Sequence, residues 1–173
     1  MGIKGLIALG YVGPFLGRTH RVISDIGSQI KKLKGDDVSY LEPSVAQSAT
    51  FATSLDLRTP LTMLNLLRYR PTADYGTDSE SDVLSGRDAY QRYLEEIRPI
   101  IAGVGGKLLF RGVFQQMLIG PEAEQWDDAL LVEYPSQQAF INMISSPEYQ
   151  AISHHRKAAL LDSRLMAMTA ETT

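Results

Sequence analysis

A chain of 173 residues has the length of one domain with room for an appendage, and its 44% hydrophobic and 21% charged residues are ordinary globular values. It has no cysteine, which excludes disulfides, thiolate zinc sites and a cysteine nucleophile. The net charge of −3 is unevenly spread, because residues 1–34 carry Lys4, Arg18, Arg21, Lys31, Lys32 and Lys34 against Asp25 alone; the remainder is acidic and a poor candidate for wrapping nucleic-acid phosphates.

The basic segment reads as an extension, residues 1–38, ahead of a domain at 39–173. Its positive surplus suits a weak contact with an anionic surface, or docking on its own acidic domain. The apolar run Leu6–Leu16 is about half the roughly 20 residues a bilayer needs, and Gly10, Gly13 and Pro14 interrupt it. No small-residue cleavage site follows it convincingly, so a cytoplasmic location is expected. Val22, Ile23, Ile26, Ile30 and Leu33 recur at helical spacing and predict a helix over Arg18–Lys34, stopped by Gly35, Asp36 and Asp37.

Ser44–Leu55 predicts a short helix capped near Ser44. Leu61–Tyr69 is the first strong strand, with Leu61, Met63, Leu67 and Tyr69 on one face and Leu64 and Leu66 on the other. Pro71–Leu84 is a polar loop. Ser85–Val104 predicts the clearest helix: Ser85 and Asp88 have cap spacing, and Tyr90, Tyr93, Leu94, Ile97, Ile101 and Val104 form one stripe. Pro99 should kink its last turns, and Gly103, Gly105 and Gly106 end it.

Lys107–Ile119 predicts a long strand, apolar on both faces, with a bend at Gly112. Gly120 and Pro121 turn the chain into a third strand, Asp128–Tyr134. A helix over Gln137–Ile144 follows, and Ser146 starts another that runs to about Leu161. Arg164–Met168 is the last strand. The order strand, helix, strand, strand, helix pair, strand predicts an α+β fold, the ferredoxin-like split βαβ arrangement with a four-stranded antiparallel sheet. Helices cover one sheet face. The other stays apolar, and a second copy is its simplest cover, so a homodimer is expected.

Polar residues on strands built for burial are the first candidates for a site. Asn65, Arg68, Arg111 and Glu133 meet that description. Asn65 and Glu133 either bind a ligand or satisfy each other and a neighbouring arginine as a structural network. Arg156 interrupts a helical stripe of Tyr149, Ile152 and Leu160, where an unpaired charge is costly. It either pairs with Glu133 or Asp162, or faces a pocket and clamps a carboxylate or enolate oxygen. His155 flanks the same stripe and is a surface residue or a proton carrier near neutral pH. Tyr90 and Tyr93 read as core.

Other signals point away from chemistry. Gly103-x-Gly105-Gly106-Lys107 follows a helix, whereas phosphate loops run from strand into helix, so it reads as a helix cap. His154 and His155 are adjacent, point about 100° apart on a helix and have no third ligand at metal spacing. No Gly-x-Ser-x-Gly elbow supports a hydrolase. Neither a metal nor a cofactor is implied.

Several segments match a known pattern: Tyr40-Leu41-Glu42-Pro43, Met63–Tyr69, Gly86–Tyr93, Leu131–Ser136, Pro147–Gln150, His154-His155-Arg156 and Asp162–Leu165. Through them the stretch from Tyr40 to Met168 resembles a bacterial family catalogued as domain of unknown function 1330. The resemblance implies a dimeric α/β barrel and no particular activity, and it leaves residues 1–38 outside. The broader fold is similar to that of cofactor-free monooxygenases, polyketide cyclases and muconolactone-type isomerases, an analogy of fold alone.

The leading expectation is a small-molecule-binding homodimer, in catalytic form a cofactor-independent isomerase, cyclase or monooxygenase acting on a carboxylate or enolisable compound. Arg156 and Asn65 would hold an oxyanion, with His155 or Glu133 as base and Arg68 and Arg111 among the ligand contacts. The alternatives are a non-catalytic ligand binder and an interaction module recruited through the basic extension.

Overall fold

Each helix begins where a side chain supplies the hydrogen bonds that a first turn lacks. The computed structural model describes residues 40–54, 56–76 and 83–171, all within the unit Ser39–Thr173. The helix foreseen over Arg18–Lys34 and the middle of the polar loop lie outside the described residues. Helix α1 is Val45–Ser54. Ser44 and Gln47 cap it reciprocally: Gln47 N–H donates to Ser44 Oγ (3.2 Å), and Ser44 N–H donates to Gln47 Oε1 (2.8 Å).

Strand β1, Leu61–Tyr69, leads into α2, Gly86–Gly103. Asp88 N–H donates to Ser85 Oγ (3.1 Å), whose hydroxyl donates to Asp88 Oδ2 (2.6 Å). The α2 exit is a glycine cap, with Gly105 at φ +78° and Gly106 N–H donating to Ile101 O at 2.8 Å. Strands β2, Lys107–Val113, and β3, Asp128–Tyr134, follow. Helices α3, Gln137–Ser145, and α4, Pro147–Ala159, are capped by Ser136 and Ser146. Strand β4 is Leu160–Met168.

The sheet is fully antiparallel in the order β2-β3-β1-β4, the ferredoxin-like arrangement. α2 packs along α4 on one face. The core lies there: Leu61, Met63, Leu67 and Tyr69 of β1 meet Leu130, Val132 and Tyr134 of β3 and the stripe Tyr90, Tyr93, Leu94 and Ile97 of α2. No helix among the described residues is long and apolar enough to cross a membrane.

Two strand boundaries differ from the sequence expectation. β2 stops at Val113, not Ile119, because Val113 pairs with Asp128, where β3 begins, and nothing beyond is left to pair. Phe114 N–H donates to Asp127 O (2.9 Å), and the apolar residues that follow leave the sheet: Leu118 and Ile119 are 82% and 94% exposed. α4 ends at Ala159, not Leu161, and β4 starts at once with Leu160 rather than Arg164. Leu160 is completely buried and pairs with Tyr69, so the sheet claims it before the helix can add another turn. β2 is also an edge strand, and Leu108, Leu109, Phe110 and Val113 are all exposed.

The face away from the helices carries an unbroken apolar row. The register places Phe110 beside Leu131, Leu131 beside Leu64, and Leu64 beside Met166, one residue from every strand. One end of this face holds Lys107 and Glu133. The other holds Arg68, Asp162 and Arg164. Arg164 bonds both oxygens of Asp162 (2.9 Å each), with its guanidinium 4.7 Å from the Tyr40 ring and 4.9 Å from the Trp126 ring.

The ends of β1 and α4 and the start of α2 meet through backbone bonds. Gly86 N–H donates to Arg70 O (3.0 Å), and Arg70 N–H donates to Ala159 O (2.9 Å). A Cβ on Gly86 would lie 2.4 Å from Ala159 O and 2.5 Å from Arg70 O. Both obstacles are backbone and cannot swing aside. Gly86→Ala is expected to cost about 2–3 kcal/mol; an unchanged urea midpoint would show that this junction yields.

Candidate functional site

The six sequence candidates are scattered over separate places. Asn65 is paired with buried Leu130 and so faces the helix layer, where its Nδ2 donates weakly to Met63 O (3.4 Å). Glu133 pairs with Thr62 and lies exposed on the opposite face. The two therefore do not satisfy each other, because residues of opposite parity leave a strand on opposite sides. Arg68 shares the open face with Glu133, but the six residues from Thr62 to Arg68 separate them by about 20 Å.

Arg156 pairs with neither Glu133 nor Asp162. Its Nη1 donates to Leu41 O (2.7 Å) and its Nη2 to Ser163 Oγ (3.1 Å). The buried Ser163 hydroxyl donates to Tyr40 O (2.6 Å). The guanidinium thus fastens residues 40–41 to the domain, and a carbonyl oxygen takes the place of the expected carboxylate. It also lies close enough to Tyr90 and Tyr93 to oppose the effect of their burial. Burial still dominates, holding Tyr90 up to about 12 and Tyr93 well above its ordinary range. Both remain phenols at neutral pH, as core residues that can donate protons in hydrogen bonds.

His155 sits in the outer helix layer, away from the sheet. The Tyr75 hydroxyl is 2.6 Å from its Nδ1, Glu96 Oε1 is 3.6 Å from its Nε2, and the His154 ring lies 4.0 Å away. Burial, and then His154, push its pKa below the usual histidine value, against the opposing pull of Glu96. A neutral ring that accepts from Tyr75 at Nδ1 directs its Nε2–H at Glu96. Burial raises the Tyr75 pKa, so the arrangement does not favour an ionised phenolate.

The sixth candidate, Arg111, belongs to a cluster that the sequence reading missed. Asp128 is 1% exposed. Its Oδ1 accepts from Arg87 Nη1 at 3.0 Å, and its Oδ2 accepts from Arg111 Nη2 at 3.2 Å and the Tyr69 hydroxyl at 2.9 Å. Burial, and then the Asp128 charge, raise the Tyr69 pKa, which keeps the phenol a donor. The Arg87 guanidinium lies 4.8 Å from the Tyr69 ring centroid. The sequence held one signal of this cluster: an arginine in the first turn of a helix opposes the helix dipole and needs a nearby acid. Which acid depends on how β3 lies against α2.

Among the described residues, no three histidine, aspartate or glutamate side chains converge to hold a metal. A shallow, open depression is lined by Leu41, Glu42, Arg70 and Lys157, and none of the six candidates lines it.

The model of a family described as domain of unknown function (DUF1330) matches residues 83–169. The chain is similar to a protein of unknown function from Rhodopseudomonas palustris, at 37% identity and a TM-score of 0.69, over 79% of this chain and 100% of that one. The methylated form of that protein gives 37% identity and a TM-score of 0.70, over 78% and 96%. A dimeric protein of unknown function with a ferredoxin-like fold, from Bacteroides fragilis, is 14% identical with a TM-score of 0.42, over 64% and 96%. No curated protein matches the chain.

Two outcomes test this geometry. Asp128→Ala should lower stability by about 3 kcal/mol, the lower end for a broken buried pair because both arginines reach water; a loss below about 1 kcal/mol would mean that the cluster contributes little. His155 is expected to make stability fall with acidification. Its folded pKa lies below the unfolded value of 6.5, so the unfolded chain takes up the proton first. The loss therefore begins as pH drops through the unfolded value. Melting temperatures between about pH 7.5 and about pH 5.5 should fall less for His155→Gln than for the wild type; equal slopes would refute the assignment.

Proposed function

The chain belongs to the DUF1330 family, and we propose that it works as a homodimer that binds a small carboxylate or enolisable molecule. The apolar row across the open sheet face carries this reading. Leu64 and Leu131 are half-buried, while Phe110 and Met166 are 53% and 41% exposed, all on one surface. Contiguous apolar surface of this kind is unfavourable in water and marks an interface. Each end of the face carries both signs of charge, Lys107 with Glu133 and Arg68 and Arg164 with Asp162, so a second copy meets an opposite charge in either orientation.

The scatter of the candidates supports binding over catalysis. A proton-transfer enzyme needs a base and an oxyanion donor on one reacting atom. Arg156 is spent on Leu41 and Ser163, and His155 is held by Tyr75 in the outer layer. Glu133 is free of both and stands at the rim of the open face, where it remains the base of a catalytic alternative. The basic segment 1–38 serves, in this proposal, as an attachment to anionic surfaces and not as part of the ligand site.

Leu64→Lys tests the dimer. A lysine forced into the apolar contact should weaken association by about 100-fold or more, roughly 3 kcal/mol. The folded core on the other face should be unaffected. Light scattering through a dilution series should show a dimeric wild type and a monomeric variant. A wild type that is monomeric at micromolar concentration refutes the proposal.

A further inference from the structure

The open depression beside α4 is built from three distant stretches of chain, and the arginine in it has its fork unspent. It has a volume of about 550 Å³ and is lined by Leu41, Glu42, Arg70 and Lys157, a size that suits a small molecule. Each wall is fixed separately. Arg156 and Lys157, consecutive in the last turn of α4, hold consecutive residues ahead of α1: Arg156 Nη1 donates to Leu41 O (2.7 Å), and Lys157 pairs with Glu42. Arg70 is held at three points. Its N–H donates to Ala159 O (2.9 Å), its carbonyl accepts from Gly86 N–H (3.0 Å), and its Nε donates to Leu160 O (3.1 Å).

These bonds leave over the end of the guanidinium. Among the described residues neither terminal nitrogen of half-buried Arg70 has a hydrogen-bond or ion-pair partner. Arg156 shows the contrast, because it spends both of its terminal nitrogens within the domain, on Leu41 O and Ser163 Oγ. Asp74, the next acid along the chain from Arg70, accepts Gly76 N–H at Oδ1 (3.1 Å) and does not line the depression. Two N–H donors side by side match the two oxygens of a carboxylate. An arginine already held in place also loses less conformational freedom on binding than a free surface arginine does. Glu42 at the rim repels a second negative charge, which favours a monoanion over dianionic phosphate.

We propose that this depression binds a small monocarboxylate, with the carboxylate on the Arg70 fork and the apolar body against Leu41. Lys157 supplies the second cation, and Glu42 selects against dianions. The inference rests on the small-molecule reading above and gives it an address at the junction of β1, α2 and α4, apart from the open sheet face.

The test uses the full chain with benzoate, its neutral isostere benzamide, and inorganic phosphate, followed by calorimetry and the arginine Nε–Hε resonances. Benzoate should shift the Arg70 resonance and benzamide should not. Arg70→Met should weaken benzoate binding by about tenfold or more, and Lys157→Met by less, since Lys157 is shared with Glu42. Arg58→Met removes an exposed cation paired with Asp56 and should leave the affinity unchanged. Glu42→Gln should tighten phosphate by about tenfold relative to benzoate, a change that a purely structural role would not produce. If Arg70→Met fails to fold, Lys157→Met and Glu42→Gln decide, because both side chains are mainly exposed (53% and 61%). Unchanged benzoate affinity in Arg70→Met, benzamide bound as well as benzoate, or a benzoate response that moves other arginines and not Arg70 overturns the site while leaving a small-molecule binder. An unchanged preference in Glu42→Gln overturns the role given to Glu42, and a wild type that prefers phosphate overturns the ligand class. A wild type silent to every compound overturns both readings.

Discussion

Three stretches of chain converge where Gly86, Arg70 and Ala159 touch, and the fold is organised around that junction. Gly86 has no side chain to hold its neighbours apart, so its N–H reaches Arg70 O while Arg70 N–H reaches Ala159 O. Arg70 Nε adds a bond to Leu160 O at 3.1 Å. The end of β1, the start of α2 and the turn from α4 into β4 are thereby locked in one place. The entry angle of α2 follows from this lock, and so does the layer in which Tyr90, Tyr93, Leu94 and Ile97 meet the sheet.

The same lock explains where polar groups gather. Arg87 is the residue after Gly86, so the junction that anchors α2 also delivers a guanidinium to the head of β3. There Asp128 is too deeply buried to stand alone. Two arginines and a tyrosine hydroxyl satisfy it, and both guanidiniums still reach water. Arg156 has the opposite fate. It ties the approach to α1 onto β4 through Leu41 O and Ser163.

The helices cover one sheet face, and the asymmetry of the molecule follows. The covered face holds the buried core, while the bare face keeps its apolar row and its charged ends. β2 feels this most, as an edge strand with neither a helix over it nor a neighbour on its far side, so its leucines and Phe110 remain in contact with water.

Periodicity and capping are local properties, and from them the sequence by itself determined every described strand and helix, their order and the four-stranded ferredoxin-like sheet. Ser85 with Asp88, Ser146 before Pro147, and the glycines after α2 each act within a few residues of themselves, so their meaning was legible without a partner. The ends of β2 and β4 were not. A strand stops where its neighbour stops, and the apolar run to Ile119 carries no mark that β3 begins only at Asp128. The site followed the same division. Asn65 and Glu133 read alike as polar residues in buried strands, and only register put them on opposite faces. Asp128 read as an ordinary first residue of a strand, because its partners Tyr69, Arg87 and Arg111 lie 59, 41 and 17 positions away in the chain. Long-range pairing brings such groups together, and a charge reveals its partner only when the tertiary fold has removed the water between them.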